Sequence, residues 1–168
     1  MLKAIRFYVR AVDRLNRALG RFAMLLVFAM MVILLYSAVS KAIGGAPIWI
    51  VEMAQFTLAA YYLLGGGYSI QLDSHVRMDL LYSRWTPKRR AQVDAVTVLF
   101  LIFYLVMLLL GGISSTEYAI DYNQVNYSSW APRLWPIKVI MTFGILLILL
   151  QAVASFFRDL YAARGIEL

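Results

Sequence analysis

Few residues in this chain have side chains fit for chemistry, and their spacing narrows what that chemistry is. Glu52 stands at the border of a long uncharged stretch, one helical turn after Trp49. A carboxylate set against apolar sequence serves proton or ion transfer, or it pairs with a neighbour's cation. Its place at the end of the stretch, within reach of water, favours the structural or partner-pairing role. Asp73, Ser74, His75, Arg77 and Asp79 form a second polar group, in which His75 and Asp79 are four residues apart and share one helix face. Zinc binding or catalysis by that pair requires further ligands, which a chain with one histidine and no cysteine does not supply. A local hydrogen bond or a subunit contact fits better. Gly65, Gly66 and Gly67 follow one another without a phosphate-loop pattern around them. Within an apolar helix such glycines admit a second helix at short range, with a local hinge as the other reading.

The elements that position these residues are set by the distribution of charge. Four stretches, 22–40, 53–72, 95–116 and 139–157, contain no charged residue. Each is about 20 residues long, the length at which a helix rising about 1.5 Å per residue crosses a hydrocarbon core about 30 Å thick. Backbone amides find no water there, so the stretches must be helical, and they lack the alternation of barrel strands. The expected fold is an all-α membrane protein with transmembrane helices at 22–40, 49–70, 93–113 and 137–157. A loop at 71–92, a second loop at 114–136 and a tail at 158–168 complete a single membrane domain over 1–168. Composition agrees: 62% of residues are hydrophobic and 15% charged, with mean hydropathy +0.73, too apolar for a domain with a polar surface.

Residues 1–21 carry Ile5, Tyr8, Val9, Val12, Leu15 and Leu19 on one helical face and Lys3, Arg6, Arg10, Arg14, Arg17 and Arg21 on another. That pattern predicts an amphipathic helix lying on anionic headgroups, with a disordered basic leader as the alternative. The leader and the apolar run after it are both longer than a signal peptide's, so the first span is expected to be retained. Thirteen of the sixteen Lys and Arg residues fall in 1–21, 71–92 and 158–168, against Lys41, Arg133 and Lys138 elsewhere. The positive-inside rule then places both termini and the 71–92 loop in the cytoplasm.

Thr86-Pro87 reads as the start of the third helix, although Lys88, Arg89 and Arg90 then crowd the positive end of its dipole. That loses roughly 0.3 to 1 kcal/mol per charge, whereas a basic residue beside an anionic leaflet gains about 1 kcal/mol, so headgroup attraction prevails. Tyr118, Tyr122, Tyr127, Trp130 and Trp135 in the 114–136 loop suit the headgroup level, and Pro136 suits the first turn of the fourth helix. The net charge of +7 does not point to nucleic acid, since the basic residues flank apolar runs rather than forming a polar face. No cofactor is expected. A quinone-linked enzyme lacks its cysteines and haem histidines here.

The stretch from Trp49 through Glu52 and the glycines, then Asp73-Ser74-His75-Val76-Arg77-Met78-Asp79-Leu80-Leu81 and on to Thr86-Pro87, resembles the small permease subunit, the DctQ-like component, of tripartite ATP-independent periplasmic (TRAP) transporters. The resemblance extends in length and topology over the whole chain and includes Trp135-Pro136 and Gln151, while Gln71 and Leu72 depart from it. It implies a non-enzymatic subunit of the bacterial inner membrane. Its implied partners are a large permease subunit bearing the substrate and sodium sites and a periplasmic binding protein that captures an organic acid. Trp49, Glu52, Gly65, Gly66, Gly67, His75 and Asp79 are the expected partner contacts; Arg6, Arg10, Arg14, Arg17, Lys88, Arg89 and Arg90 are the expected headgroup contacts. The chain shows no pair of broken helices, internal repeat or midplane charge cluster of a solute site. Two alternatives stand beside this: an autonomous four-helix proton-coupled exporter, which wants a carboxylate nearer mid-span than Glu52, and a structural assembly factor.

Overall fold

Where no water competes, every backbone amide is paired within its own helix, and the chain obeys this over most of its length. The computed structural model describes residues 2–45, 47–72 and 87–162. Among them are four helices: α1 (Leu2–Ile43), α2 (Ile50–Gln71), α3 (Pro87–Asp121) and α4 (Trp135–Ala162). α3 opens on Pro87 and α4 carries Pro136 in its first turn, as their fixed φ and missing N–H favour. α1 ends where Gly44 takes φ +96°. There Gly45 N–H donates to the Ser40 carbonyl at 3.0 Å and Gly44 N–H to that of Lys41 at 3.3 Å, which satisfies two of the helix's last carbonyls.

α1, α2 and α4 pack on one another, and α3 lies along α4. α1 runs antiparallel to α2, so that Tyr36 stacks on Trp49 at one end with ring centroids 6.0 Å apart and Gly20 meets Tyr68 near the other. Ala23, Leu64 and Leu147 form the buried point where α1, α2 and α4 meet. Leu105, Ile145 and Ala152 join α3 to α4, with Leu63 of α2 packed against them.

Three departures from the sequence expectation have physical causes. Residues 1–21 are not a separate interfacial helix: α1 continues unbroken for 42 residues, about 63 Å at about 1.5 Å per residue. Its apolar stripe faces protein, because Val9 and Val12 bury against Ala154 of α4 with Leu150 and Phe157 beside them. The 114–136 loop is shorter than expected, since α3 runs to Asp121 and α4 starts at Trp135. What remains folds on itself: Leu134 N–H donates to the Gln124 carbonyl and Asn126 N–H to that of Pro132, both at 2.9 Å. Finally, among the described residues three helices are long and apolar enough to cross a membrane, over Lys3–Ile43, Val96–Asp121 and Trp135–Tyr161. α2 has the length, at 22 residues, but its tyrosines, glycines, Gln55 and Glu52 dilute its apolarity. It is also a helix covered on two sides, by α1 and by α4.

That covering depends on backbone approach. A Cβ at Gly144 of α4 would lie 2.7 Å from Leu63 Cβ and 2.9 Å from the Leu63 carbonyl oxygen, and one at Gly66 would lie 2.7 Å from Ile148 Cδ1. Gly67 faces Asn16 with no room for a Cβ, whereas a Cβ at Gly65 would sit 3.8 Å from Ala23 in ordinary contact. Gly144→Ala is therefore expected to destabilise the solubilised chain by about 1 to 3 kcal/mol, the usual penalty of overpacking. Gly65→Ala should leave it unchanged or slightly more stable, because alanine favours a helix by roughly 1 kcal/mol. Thermal unfolding followed by size-exclusion chromatography checks both, and equal melting behaviour of the two variants would refute the close-approach account.

Candidate functional site

The buried polar chemistry of the described residues gathers where the N-terminal half of α1 crosses the C-terminal half of α4. Asp13 and Asn16 lie on one face of α1, three residues apart, and Gln151 and Arg158 lie two turns apart on α4. Arg158 Nη2 donates to Asp13 Oδ2 at 2.8 Å, and Gln151 Nε2 donates to Asp13 Oδ1 at 2.9 Å. Asn16 Nδ2 donates to Gln151 Oε1 at 2.9 Å and to the Val12 carbonyl at 3.3 Å. Gln151 accepts from Asn16 on one side and donates to Asp13 on the other, so the series runs from the Asn16 amide to the Asp13 carboxylate. A flipped Gln151 would set its oxygen against that carboxylate, so the acid determines the amide's direction. Tyr8 continues the seam one turn away, its hydroxyl donating to the Leu150 carbonyl at 3.1 Å.

Asn16 and Gln151 are fully buried, while the Asp13 and Arg158 side chains keep 19% and 41% of their exposure. The charges therefore sit at the wet end of the seam and the neutral amides at its dry end, which limits the desolvation that an ion pair costs when buried. Asn16 Oδ1 has no hydrogen-bond partner among the described residues; it lies against Gly67, whose missing side chain lets α2 pass over the amide. Apart from that oxygen, the seam is occupied by its own members. Its arrangement ties two helices together and holds them in register rather than presenting groups to a solute.

The residues expected to act are distributed differently. Glu52 is buried, at 7% exposure, in the first turn of α2, where its charge complements the helix dipole; its Oε2 has no partner among the described residues. Trp49 is occupied by Tyr36 of the same chain. Gly66 and Gly67 are turned toward α4 and α1 rather than outward, and Gly65 toward Ala23. His75 and Asp79, with the rest of their polar group, lie outside the described residues. Arg6, Arg10, Arg14 and Arg17 are exposed along α1. Lys88, Arg89 and Arg90 fall in the first turn of α3, with side chains outside the description. Among the described residues no cluster of His, Cys, Asp or Glu is suited to hold a metal ion.

The seam was readable in part. Asn16 interrupts the apolar stripe of Val9, Val12 and Leu19 at helical spacing, and Gln151 is a polar residue inside an uncharged run; both are signals that a membrane helix has a polar neighbour. Asp13 and Arg158 carried no such signal, because charges outside the runs look solvated.

If the Asn16–Gln151 bond couples the helices, a double-mutant cycle with Asn16→Leu and Gln151→Leu should show an interaction energy of about 0.6 to 1.7 kcal/mol, from the average to the maximum for interhelical hydrogen bonds in membranes. Stability in mixed micelles reads it out, and strictly additive single effects would remove the bond from the account.

The family model of tripartite ATP-independent periplasmic transporters, DctQ component, matches residues 30–162. Among curated proteins none matches the chain.

Proposed function

The chain belongs to the DctQ family, the small membrane component of TRAP transporters, and from that premise we propose that it works as a scaffold. It holds the large permease subunit of a sodium-coupled importer, which takes up an organic acid delivered by a periplasmic binding protein. By enlarging the fixed part of the complex, it gives the large subunit's moving domain a body to move against. The observation that carries this reading is the use made of the polar groups packed between α1 and α4. Asp13, Asn16, Gln151 and Arg158 are spent on joining α1 to α4, as suits a rigid body more than a solute path. Glu52 lies in the first turn of α2, far from the mid-span position that a proton-coupled exporter would need.

Liposome reconstitution tests the role. Uptake is expected only when all three components are present, and Glu52→Gln should leave the substrate affinity of the assembled complex unchanged. Solute uptake by this chain alone, or a large loss of affinity in an assembled Glu52→Gln complex, would sink the scaffold reading and revive the exporter.

In this proposal α2 is the fourth span, which the membrane tolerates because α1 and α4 cover it. The exposed Arg6, Arg10, Arg14 and Arg17 face the headgroups of the inner leaflet of a bacterial inner membrane, and Lys88, Arg89 and Arg90, at the start of α3, add their charge on the same side. That attraction, about 1 kcal/mol per basic residue, fixes both termini in the cytoplasm. Reporter fusions at each end should give a cytoplasmic signal, and replacing the four arginines by Gln should raise the misoriented fraction. A periplasmic signal from either wild-type terminus would overturn the topology.

A further inference from the structure

Between the C-terminal half of α3 and the N-terminal half of α4 runs a groove of about 320 Å³, with Met107, Leu108, Met141 and Ile145 among its walls. Gly111 makes it: a Cβ at that position would meet nothing within 4 Å, so α3 leaves space where a side chain would otherwise stand. Met107, Leu108 and Met141 are exposed, and the groove is open to the surroundings. Its one charged residue is Lys138. Lys138 Nζ donates to the Ser115 carbonyl at 3.2 Å and to Gln124 Oε1 at 2.7 Å. Both acceptors are neutral, and an ammonium has three N–H donors. Among the described residues, one donor and the full positive charge therefore remain for a further partner.

Depth identifies that partner's shape. From Ser115, beside the ammonium, to Met107 is eight residues of helix, about 12 Å, against about 15 Å for half of a hydrocarbon core about 30 Å thick. Lys138 follows Trp135 and Pro136 by less than a turn, at the headgroup level that tryptophan prefers. A cation at the interface thus surmounts an apolar furrow about one leaflet deep. A free inorganic anion would use the cation and leave the furrow unused, and an uncharged hydrocarbon would do the reverse.

We propose that this groove is a binding site for an anionic phospholipid, one acyl chain lying against Gly111 and the phosphate accepting the remaining Lys138 donor. The test uses the full chain, purified and exchanged into mixed micelles of phosphatidylglycerol and phosphatidylcholine with identical acyl chains, with bound lipid counted by native mass spectrometry. Wild type should retain phosphatidylglycerol preferentially. Lys138→Gln should lower its occupancy about five-fold, the ratio equivalent to about 1 kcal/mol per basic residue beside anionic lipid. Gly111→Leu, whose Cβ meets nothing within 4 Å and which gains helix propensity, adds bulk at the groove and should lower the occupancy of both lipids. Either variant retaining wild-type phosphatidylglycerol occupancy overturns the proposal. In membranes of the producing cells, a diazirine side chain in place of Met107 should yield lipid adducts. Adducts to another polypeptide, whether a partner helix or a second copy, would overturn it as well.

Discussion

The distance at which α2 can approach its neighbours sets the rest of the structure. In lipid, burying apolar surface between helices gains little, since the surface was already in an apolar medium. Association then depends on dispersion at close range and on hydrogen bonds, and dispersion falls steeply with even a small gap. Glycines on three helices meet this requirement: Gly20 of α1 against Tyr68, Gly66 and Gly67 of α2 against Ile148 and Asn16, and Gly144 of α4 against Leu63. The Gly144 contact matters most, because the opposing atoms include backbone, which cannot rotate away. With α2 drawn this close to α4, Leu63 reaches the cluster that joins α4 to α3, and the packing of all four helices becomes one problem rather than three.

The polar seam answers a different need. Beyond Ala23 the N-terminal half of α1 continues along α4, where Val9 and Val12 supply apolar contact. An apolar stripe alone does not determine register in such surroundings, since sliding by one turn replaces one aliphatic contact with another. The series from Asn16 through Gln151 to Asp13 and Arg158 permits one alignment, because any slide leaves donors and the carboxylate unmatched in a region of low dielectric. Stability comes mainly from packing. Uniqueness comes from the seam, and α1, helical from Leu2 to Ile43, carries that alignment without interruption to its contact with Trp49.

How much of this was legible in the sequence follows from what each signal measures. Charge-free runs mark hydrocarbon, and they located the apolar parts of α1, α3 and α4. They do not mark helix ends, so α3 extends past Ile113 to Asp121 and α1 begins twenty residues before its uncharged run. Local backbone signals served better: Pro87 and Pro136 stand where their conformational limits place them. The stripe of Ile5, Tyr8, Val9 and Val12 has the same period whether it faces headgroups or another helix, and only Asn16 within it distinguished the two. Of the glycine run, spacing told that something approaches closely; which of α1 and α4 each residue meets required the three-dimensional arrangement.

Exposed apolar surface has a special meaning in such a chain. α3 displays Phe100, Phe103, Tyr104 and Met107, a set that on a soluble protein would signal an interface. In a membrane, lipid solvates those side chains, so their exposure alone specifies no neighbour. What α3 offers is instead a fixed position. Its C-terminal half is tied to α4 by the Thr116 and Thr142 hydroxyls, 3.0 Å apart, with Gly112 admitting Thr142 at close range and Lys138 reaching across to the Ser115 carbonyl. A side of α3 left uncovered by the chain is thereby held by hydrogen bonds on the other. Because α4 is in turn locked to α1 by the seam and to α2 by backbone approach, force applied to the bare flank of α3 is resisted by the whole molecule, which is the mechanical property that a scaffold needs.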